Sequence, residues 1–368
     1  MKRVLIIGGY GNFGRFIAKR LATDANRQLI IAGRSLEKAQ ALIADMEAAN
    51  QPEAIALDIH QNLEQSLQAI KPNIVIHTSG PFQGQGHDVA KACIQCGAHY
   101  IDLADGREFV AGIDALDAQA KAAGITVISG ASSVPCLTSA LMDYYQDDFS
   151  EMESLDYGIT TAQKTTRGLA TTAAILSYTG KPFTTRIEGK ERSVYGWQGL
   201  KRKHFKQLGW RLLGNCNVPD LALFPKRYPS LKTIRFYAGL ELPFIHITLW
   251  LLSFLVRIGL IRKLEKSAGL LLKTSFLFDR LGSANSGFYM QLSGKGKEGK
   301  PKTIEFELTA KSGDGPYIPC MPAILLCGKL ARGELNQAGA YPCIGFISKE
   351  EYLMALESMD ISWEESTS

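Results

Sequence analysis

The segment Arg3-Val4-Leu5-Ile6-Ile7-Gly8-Gly9-Tyr10-Gly11-Asn12-Phe13-Gly14 decides the fold. Val4 to Ile7 are four consecutive apolar residues, as in a strand buried on both faces, and they run directly into Gly9-x-Gly11-x-x-Gly14. Arg15 to Leu21 follows with its apolar residues at helical spacing. Strand, glycine turn and helix in that order form the dinucleotide-binding fingerprint in the context it requires. Gly9 is expected to make the tight turn, Gly11 to let the backbone approach a pyrophosphate, and Gly14 to let the helix pack on the strand. The free N–H groups of the helix amino terminus then face the anion.

The next apolar run, Gln28-Leu29-Ile30-Ile31-Ala32-Gly33, says which dinucleotide is expected. It ends in Arg34-Ser35, where an NAD-binding domain places an acid on the ribose diol. A guanidinium pairs a phosphate bidentately, so Arg34 and Ser35, with Lys38 one turn on, suit the 2′-phosphate of NADP rather than NAD. Ser35 is also placed as a helix N-cap, a role compatible with phosphate binding.

At 368 residues the chain is long enough for two domains. Its net charge of +5 is modest. The basic cluster Lys201-Arg202-Lys203-His204-Phe205-Lys206 reads as a solvated loop or helix face, and nucleic acid is not expected as a partner. Seven cysteines without a signal peptide point to a reducing, cytoplasmic setting. Cys93-x-x-Cys96 falls in a helical pattern with no second Cys/His pair, so no metal site is expected.

The first third alternates strands with helices. A helix is expected at about Leu36 to Ala49, and strands at Ala54–Leu57, Asn73–Thr78, His99–Leu103 and Ile125–Ser129. This is the pattern of an α/β Rossmann domain, a doubly wound parallel sheet covered on both faces. Ligands of such sheets lie beyond the carboxyl ends of the strands, so Asp58, Gly80-Pro81-Phe82, Asp102 and Gly130 to Pro135 should line one crevice. Three side chains there can move a proton: Tyr100 and Asp102, two apart on one strand, and His87 after the turn Gly84-Gln85-Gly86. Each has a structural alternative: a core aromatic, a loop anchor and a helix amino-terminal residue, respectively.

These features resemble the saccharopine dehydrogenase (saccharopine reductase) NADP-binding family. The resemblance rests on the glycine fingerprint, Ser79-Gly80-Pro81-Phe82, Ala92-Cys93-x-x-Cys96-Gly97-Ala98-His99-Tyr100-Ile101-Asp102-Leu103, and Gly130-Ala131-Ser132-Ser133-Val134-Pro135. It covers about residues 1 to 140. It implies that Gly9, Tyr10, Gly11, Asn12, Phe13 and Gly14 hold the pyrophosphate, and Arg34, Ser35 and Lys38 the 2′-phosphate. Asp58 would then face the adenosine, and Ser79, Gly80, Pro81 and Phe82 the nicotinamide. Relatives commonly carry an Asp where this chain has Ala131-Ser132-Ser133, which argues against an amino-acid substrate.

Beyond Leu155 a second α+β domain with a mixed or antiparallel sheet is expected, with a strand at Leu155–Thr160 and a hairpin at Gly287–Gly294 and Thr303–Thr309. The domains are placed at 1–135, 136–318 and a carboxyl-terminal helical segment, 319–368, that returns toward the first. Residues 242–261 are the most apolar stretch, but the uninterrupted run Ile247–Val256 is too short to span a bilayer. It is core, a peripheral membrane contact or the wall of an acyl-substrate channel. The reading that follows is an NADP-dependent oxidoreductase acting on a small or lipid-like substrate, as a homodimer. The alternatives are a lyase- or synthase-like relative without net NADPH turnover, and a non-catalytic nucleotide-binding or membrane-surface interaction protein.

Overall fold

Val4 to Ile7 lie inside β1 (Lys2–Ile7) with essentially no exposure, as residues of a strand with layers on both faces must. Five further strands run parallel to it: β2 (Arg27–Gly33), β3 (Glu53–Ala56), β4 (Ile74–His77), β5 (His99–Asp102) and β6 (Thr126–Ser129). The order β3-β2-β1-β4-β5-β6 reverses direction between β1 and β4, which opens a crevice at their carboxyl ends. The connecting helices are α1 (Asn12–Leu21), α2 (Leu36–Ala44), α3 (Leu63–Ile70), α4 (Asp88–Cys96), α5 (Arg107–Ala111) and α6 (Asp117–Ala122). Helix α2 stops at Ala44 rather than near Ala49, because the Ala49 N–H bonds the Ala22 carbonyl and the Asn50 amide bonds those of Ala25 and Arg27.

The computed structural model describes residues 1–368, which divide into two units. One comprises Met1–Ala140 and Tyr317–Tyr352, the other Leu141–Pro316 and Leu353–Ser368. The chain passes between them in α7 (Thr138–Tyr145). The second unit is built on β7 (Phe149–Thr161), followed by α8 (Leu169–Tyr178) and the hairpin β8 (Pro182–Ile187) and β9 (Lys190–Tyr195). Next come β10 (Lys201–Phe205), β11 (Gly209–Asn215), α9 (Asp220–Arg227), β12 (Thr233–Leu240), α10 (Pro243–Arg257), α11 (Ala268–Phe276), β13 (Ser286–Gly296) and β14 (Pro301–Ala310). Its sheet is mixed, with β7 and β12 parallel and the other pairs antiparallel. One face is apolar: Leu155, Tyr157, Phe236, Met290 and Phe306 are fully buried, and Phe224 of α9 stacks toward Tyr157. The other face alternates to Asp156, Arg235, Tyr237, Tyr289 and Gln291.

Residues 319–368 are not wholly helical. Helix α12 (Met321–Arg332), strand β15 (Gly339–Pro342) and α13 (Lys349–Leu356) are followed by β16 (Ile361–Thr367). Strand β15 extends the first sheet beside β6, whereas β16 pairs with β14 in the second, so the tail serves both units. In β16 the alternation Ile361, Trp363, Glu365 is a strand period. Helix α13 carries a capping box: the Glu351 N–H donates to Ser348 Oγ, and the Ser348 N–H donates to the Glu351 carboxylate. The basic cluster at 201–206 corrects the expected loop or helix face, because its first five residues are strand β10 and Lys206 begins the turn after it. Lys201 Nζ bonds Asp156 at 2.5 Å, Lys206 Nζ bonds Glu364 at 3.1 Å, and Arg202 lies over the Trp210 ring.

Candidate functional site: the carboxyl edge of the first sheet

The turn after β1 is made by Gly8, not Gly9. Gly8 has a φ of +79°, and a Cβ there would meet the Thr78 and Ser79 hydroxyls at 2.7 Å. Gly9 is restricted by packing, since a Cβ would approach Ile31 at 2.9 Å. Gly14 is the tightest position: a Cβ would sit 2.3 Å from the Gly8 carbonyl oxygen, so only glycine lets α1 lie this close to the loop. At Gly11 the sole near neighbour of a Cβ is that same oxygen at 3.1 Å, and no side chain of the protein caps the start of α1. The loop therefore leaves an approachable backbone and uncapped helix N–H groups, the cradle an anion needs.

Tyr10 ties this loop to the end of β2. Its ring lies over Gly33, where a Cβ would come within 2.5 Å of it, and its hydroxyl accepts the Ser35 N–H at 3.0 Å. Ser35 caps α2, its Oγ accepting the Lys38 N–H at 3.2 Å. Arg34 and Lys38 are exposed beside it, with no acid at the strand end. Asp58, half-buried after β3, accepts the His60 N–H at 3.0 Å in a local turn.

After β4 the chain makes a cis Gly80–Pro81 bond, and Gln85 bonds the carbonyls of Ser79 and Pro81. Phe82 turns inward, edge-on to His77 at 5.1 Å and against Phe109 at 5.2 Å. Below it lies a buried polar network from the last residues of β4, β5 and β6. His77 Nδ1 and the Tyr100 hydroxyl share a hydrogen bond of 3.0 Å. Burial drives the His77 imidazole down to about 3, so it is neutral, and holds the Tyr100 phenol well above its ordinary range. Asp102 Oδ1 accepts from Gly130 N–H at 2.8 Å, Ala104 N–H at 2.9 Å and Ser129 Oγ at 3.1 Å. Burial raises its carboxyl to about 6 despite these donors and the nearby Tyr100 hydroxyl. Asp102 thus pins the loop after β6, where Gly130 has a φ of +78°.

Residues 4–128 match the model of the saccharopine dehydrogenase NADP binding domain. The match covers β1 to β6, about a third of the chain. The whole fold is similar to apo saccharopine dehydrogenase (L-Glu forming) from Saccharomyces cerevisiae, with a TM-score of 0.69 over 100% of both chains at 14% identity. Among curated proteins, the trans-acting enoyl reductases of Mycobacterium tuberculosis and Mycobacterium bovis are 29% identical over 138 residues, 36% of this chain. The match spans about a third of their length, 33%.

Within this domain, the residues expected from the fingerprint, Arg34, Ser35, Lys38, Asp58 and Ser79 to Phe82 all fall on the carboxyl edge of the sheet. The three proton-transfer candidates do not gather at its surface. Tyr100 and Asp102 have no exposure, and their side chains bond His77 and the loops after β5 and β6. His87 sits at the start of α4 with Nε2 2.7 Å from the Phe109 carbonyl, which it anchors. Two contributors were not expected: His77, the last residue of a buried strand, and Asp105, three residues past Asp102. Asp105 is exposed and accepts from Gln83 Nε2 at 3.0 Å. A polar residue closing an apolar run marks both.

Proposed function

We propose that the chain is an NADP-dependent oxidoreductase of the saccharopine dehydrogenase-like type. The observation that carries this reading is the carboxyl edge of the first sheet: an open glycine cradle joined through Tyr10 to an acid-free strand end bearing Arg34, Ser35 and Lys38. The cradle fits a pyrophosphate and the basic strand end fits a 2′-phosphate. Gly8 to Gly14 would hold the former, Arg34, Ser35 and Lys38 the latter, Asp58 the adenosine side and Ser79 to Phe82 the nicotinamide side. A nicotinamide bound there supplies a hydride. Phe82, fixed by His77 and Phe109, sets the wall beside that ring, and Asp102 with Gly130 sets the opposite loop. Asp105 is exposed at this edge and held by Gln83, so it is the carboxyl within reach of an acceptor there.

The substrate is proposed to be lipid-like, an acyl chain with a reducible double bond. The name of the mycobacterial relatives and the absence of an acid at Ala131-Ser132-Ser133 support this over an amino acid. Calorimetry with NADPH and NADH tests the cofactor, with NADPH expected to bind more tightly. Absorbance at 340 nm during incubation with a trans-2-enoyl thioester tests the reaction. Equal affinities would overturn the NADP assignment, and absent turnover with tight NADPH binding would overturn the enoyl substrate.

A further inference from the structure

Helix α10 is apolar nearly all round, yet only one side of it meets the protein. His246, Leu249 and Ser253 are buried on that side. The opposite side carries Phe244, Ile247, Leu251, Phe254 and Ile258 at successive spacings of three and four, a single stripe along the helix. Leu251 is 54% and Ile258 72% exposed. The Phe244 ring packs edge-on against Phe278, just past α11, at 5.0 Å and so carries the surface onto a second helix. There Leu270, Leu277 and Leu281 are exposed as well. A stripe this long, pointing away from the core, needs a partner.

The charges around it say which. Residues 243–281 carry six basic side chains and two acids, Glu265 and Asp279, in a chain of net charge +5. Both acids are engaged by basic residues from outside the stretch, Glu265 by Lys181 at 4.0 Å and Asp279 by Arg167 at 2.5 Å. Arg257 is also engaged, stacked over Tyr195 at 3.9 Å and bonded to Gln198 at 2.9 Å. That leaves Arg262, Lys263, Lys266, Lys273 and Arg280, all exposed and without an ion pair in the chain. An apolar stripe rimmed by uncompensated cations complements a surface that is apolar beneath and anionic above. A second copy placed on this face would bring the same five cations together. No helix is long and apolar enough to cross a membrane, so the geometry is that of a helix lying in the interface.

We propose that the α10–α11 face docks on an anionic lipid bilayer, with the Phe244 to Ile258 stripe in the acyl boundary and the five cations at the phosphate layer. This does not depend on the proposed reaction, since neither binding measurement uses a nucleotide. The test is co-sedimentation of the full chain with vesicles of phosphatidylcholine alone or containing phosphatidylglycerol. Binding is expected only to the anionic vesicles and is expected to weaken with salt. Leu251→Asp/Phe254→Asp should abolish it, and Arg262→Glu/Lys263→Glu/Lys266→Glu should weaken it roughly tenfold or more. Both changes are at exposed positions, and thermal melts check that the variants remain folded. No pelleting of the parent chain, or pelleting unaffected by Leu251→Asp/Phe254→Asp, overturns the proposal. So does a dimer in sedimentation velocity that this variant dissociates while vesicles go unbound, because the face would then join two copies.

Discussion

The two sheets place their polar groups in opposite ways. In the first, strands buried on both faces can offer polar side chains only where they end, so His77, Asp102 and Ser129 close their strands and the loops gather over them. In the second, one face is dry and the other carries Asp156, Arg235, Tyr237, Tyr289 and Gln291 along the strands. A parallel sheet therefore concentrates chemistry at an edge, where few substitutions are tolerated. A mixed sheet with one wholly apolar face spreads its charges along the other, where single losses matter less.

That difference can be broken most directly at Gly14. Gly14→Val forces a branched side chain into the Gly8 carbonyl, 2.3 Å from an ideal Cβ, so α1 must move off the loop. A loss of about 3 kcal/mol or more in urea unfolding is expected, together with loss of dinucleotide binding. Unchanged stability would mean that the edge is less constrained than its geometry says.

The second test is the pH dependence set by Asp102. Its carboxyl titrates at about 6 in the fold, against about 3.9 in an unfolded chain. Between those values the folded state holds more protons, so this contribution is complete below about pH 4 and is lost as pH rises through 6, by up to ~3 kcal/mol. Asp102→Asn keeps a carbonyl for the three donors and should remove that slope. Identical pH profiles of urea midpoints in the two proteins would assign the slope to another group.

Arg34→Glu comes next, expected to weaken NADP binding by roughly 2 to 3 kcal/mol while changing NAD binding much less. Calorimetry with both nucleotides reads the difference, and an equal loss for both would remove Arg34 from the 2′-phosphate. The smallest effect is expected on the charged face of the second sheet. Lys206→Ala removes one solvent-exposed ion pair with Glu364 and should leave the urea midpoint unchanged. A clear shift there would show that this face is as constrained as the edge.

The same contrast explains what could be read in the sequence. Continuous apolar runs ending in glycine or a polar residue revealed the strands of the first unit, and the glycine motif located the loop, but the residue with positive φ proved to be Gly8 because φ depends on how the turn is entered. Tyr100, Asp102 and His87 were recognisable as polar residues near the edge. The full burial of Tyr100 and Asp102 was not, since it depends on side chains brought in from distant strands and loops. In the second unit, Lys201 to Lys206 reads as a basic patch because the carboxylates that pair with it, Asp156, Glu305 and Glu364, lie far away in the chain. Strand β16 escaped for a similar reason: its two-residue alternation is short, and β14, its partner, is some fifty residues earlier.

The division of the tail between the sheets bears on synthesis. Strand β6 gains its neighbour β15, and β14 gains β16, only when residues 339–367 have been made. Until then each sheet on the ribosome presents a strand edge that can pair with a wrong partner. Completion of the two sheets therefore waits on a single stretch of chain, residues 339–367.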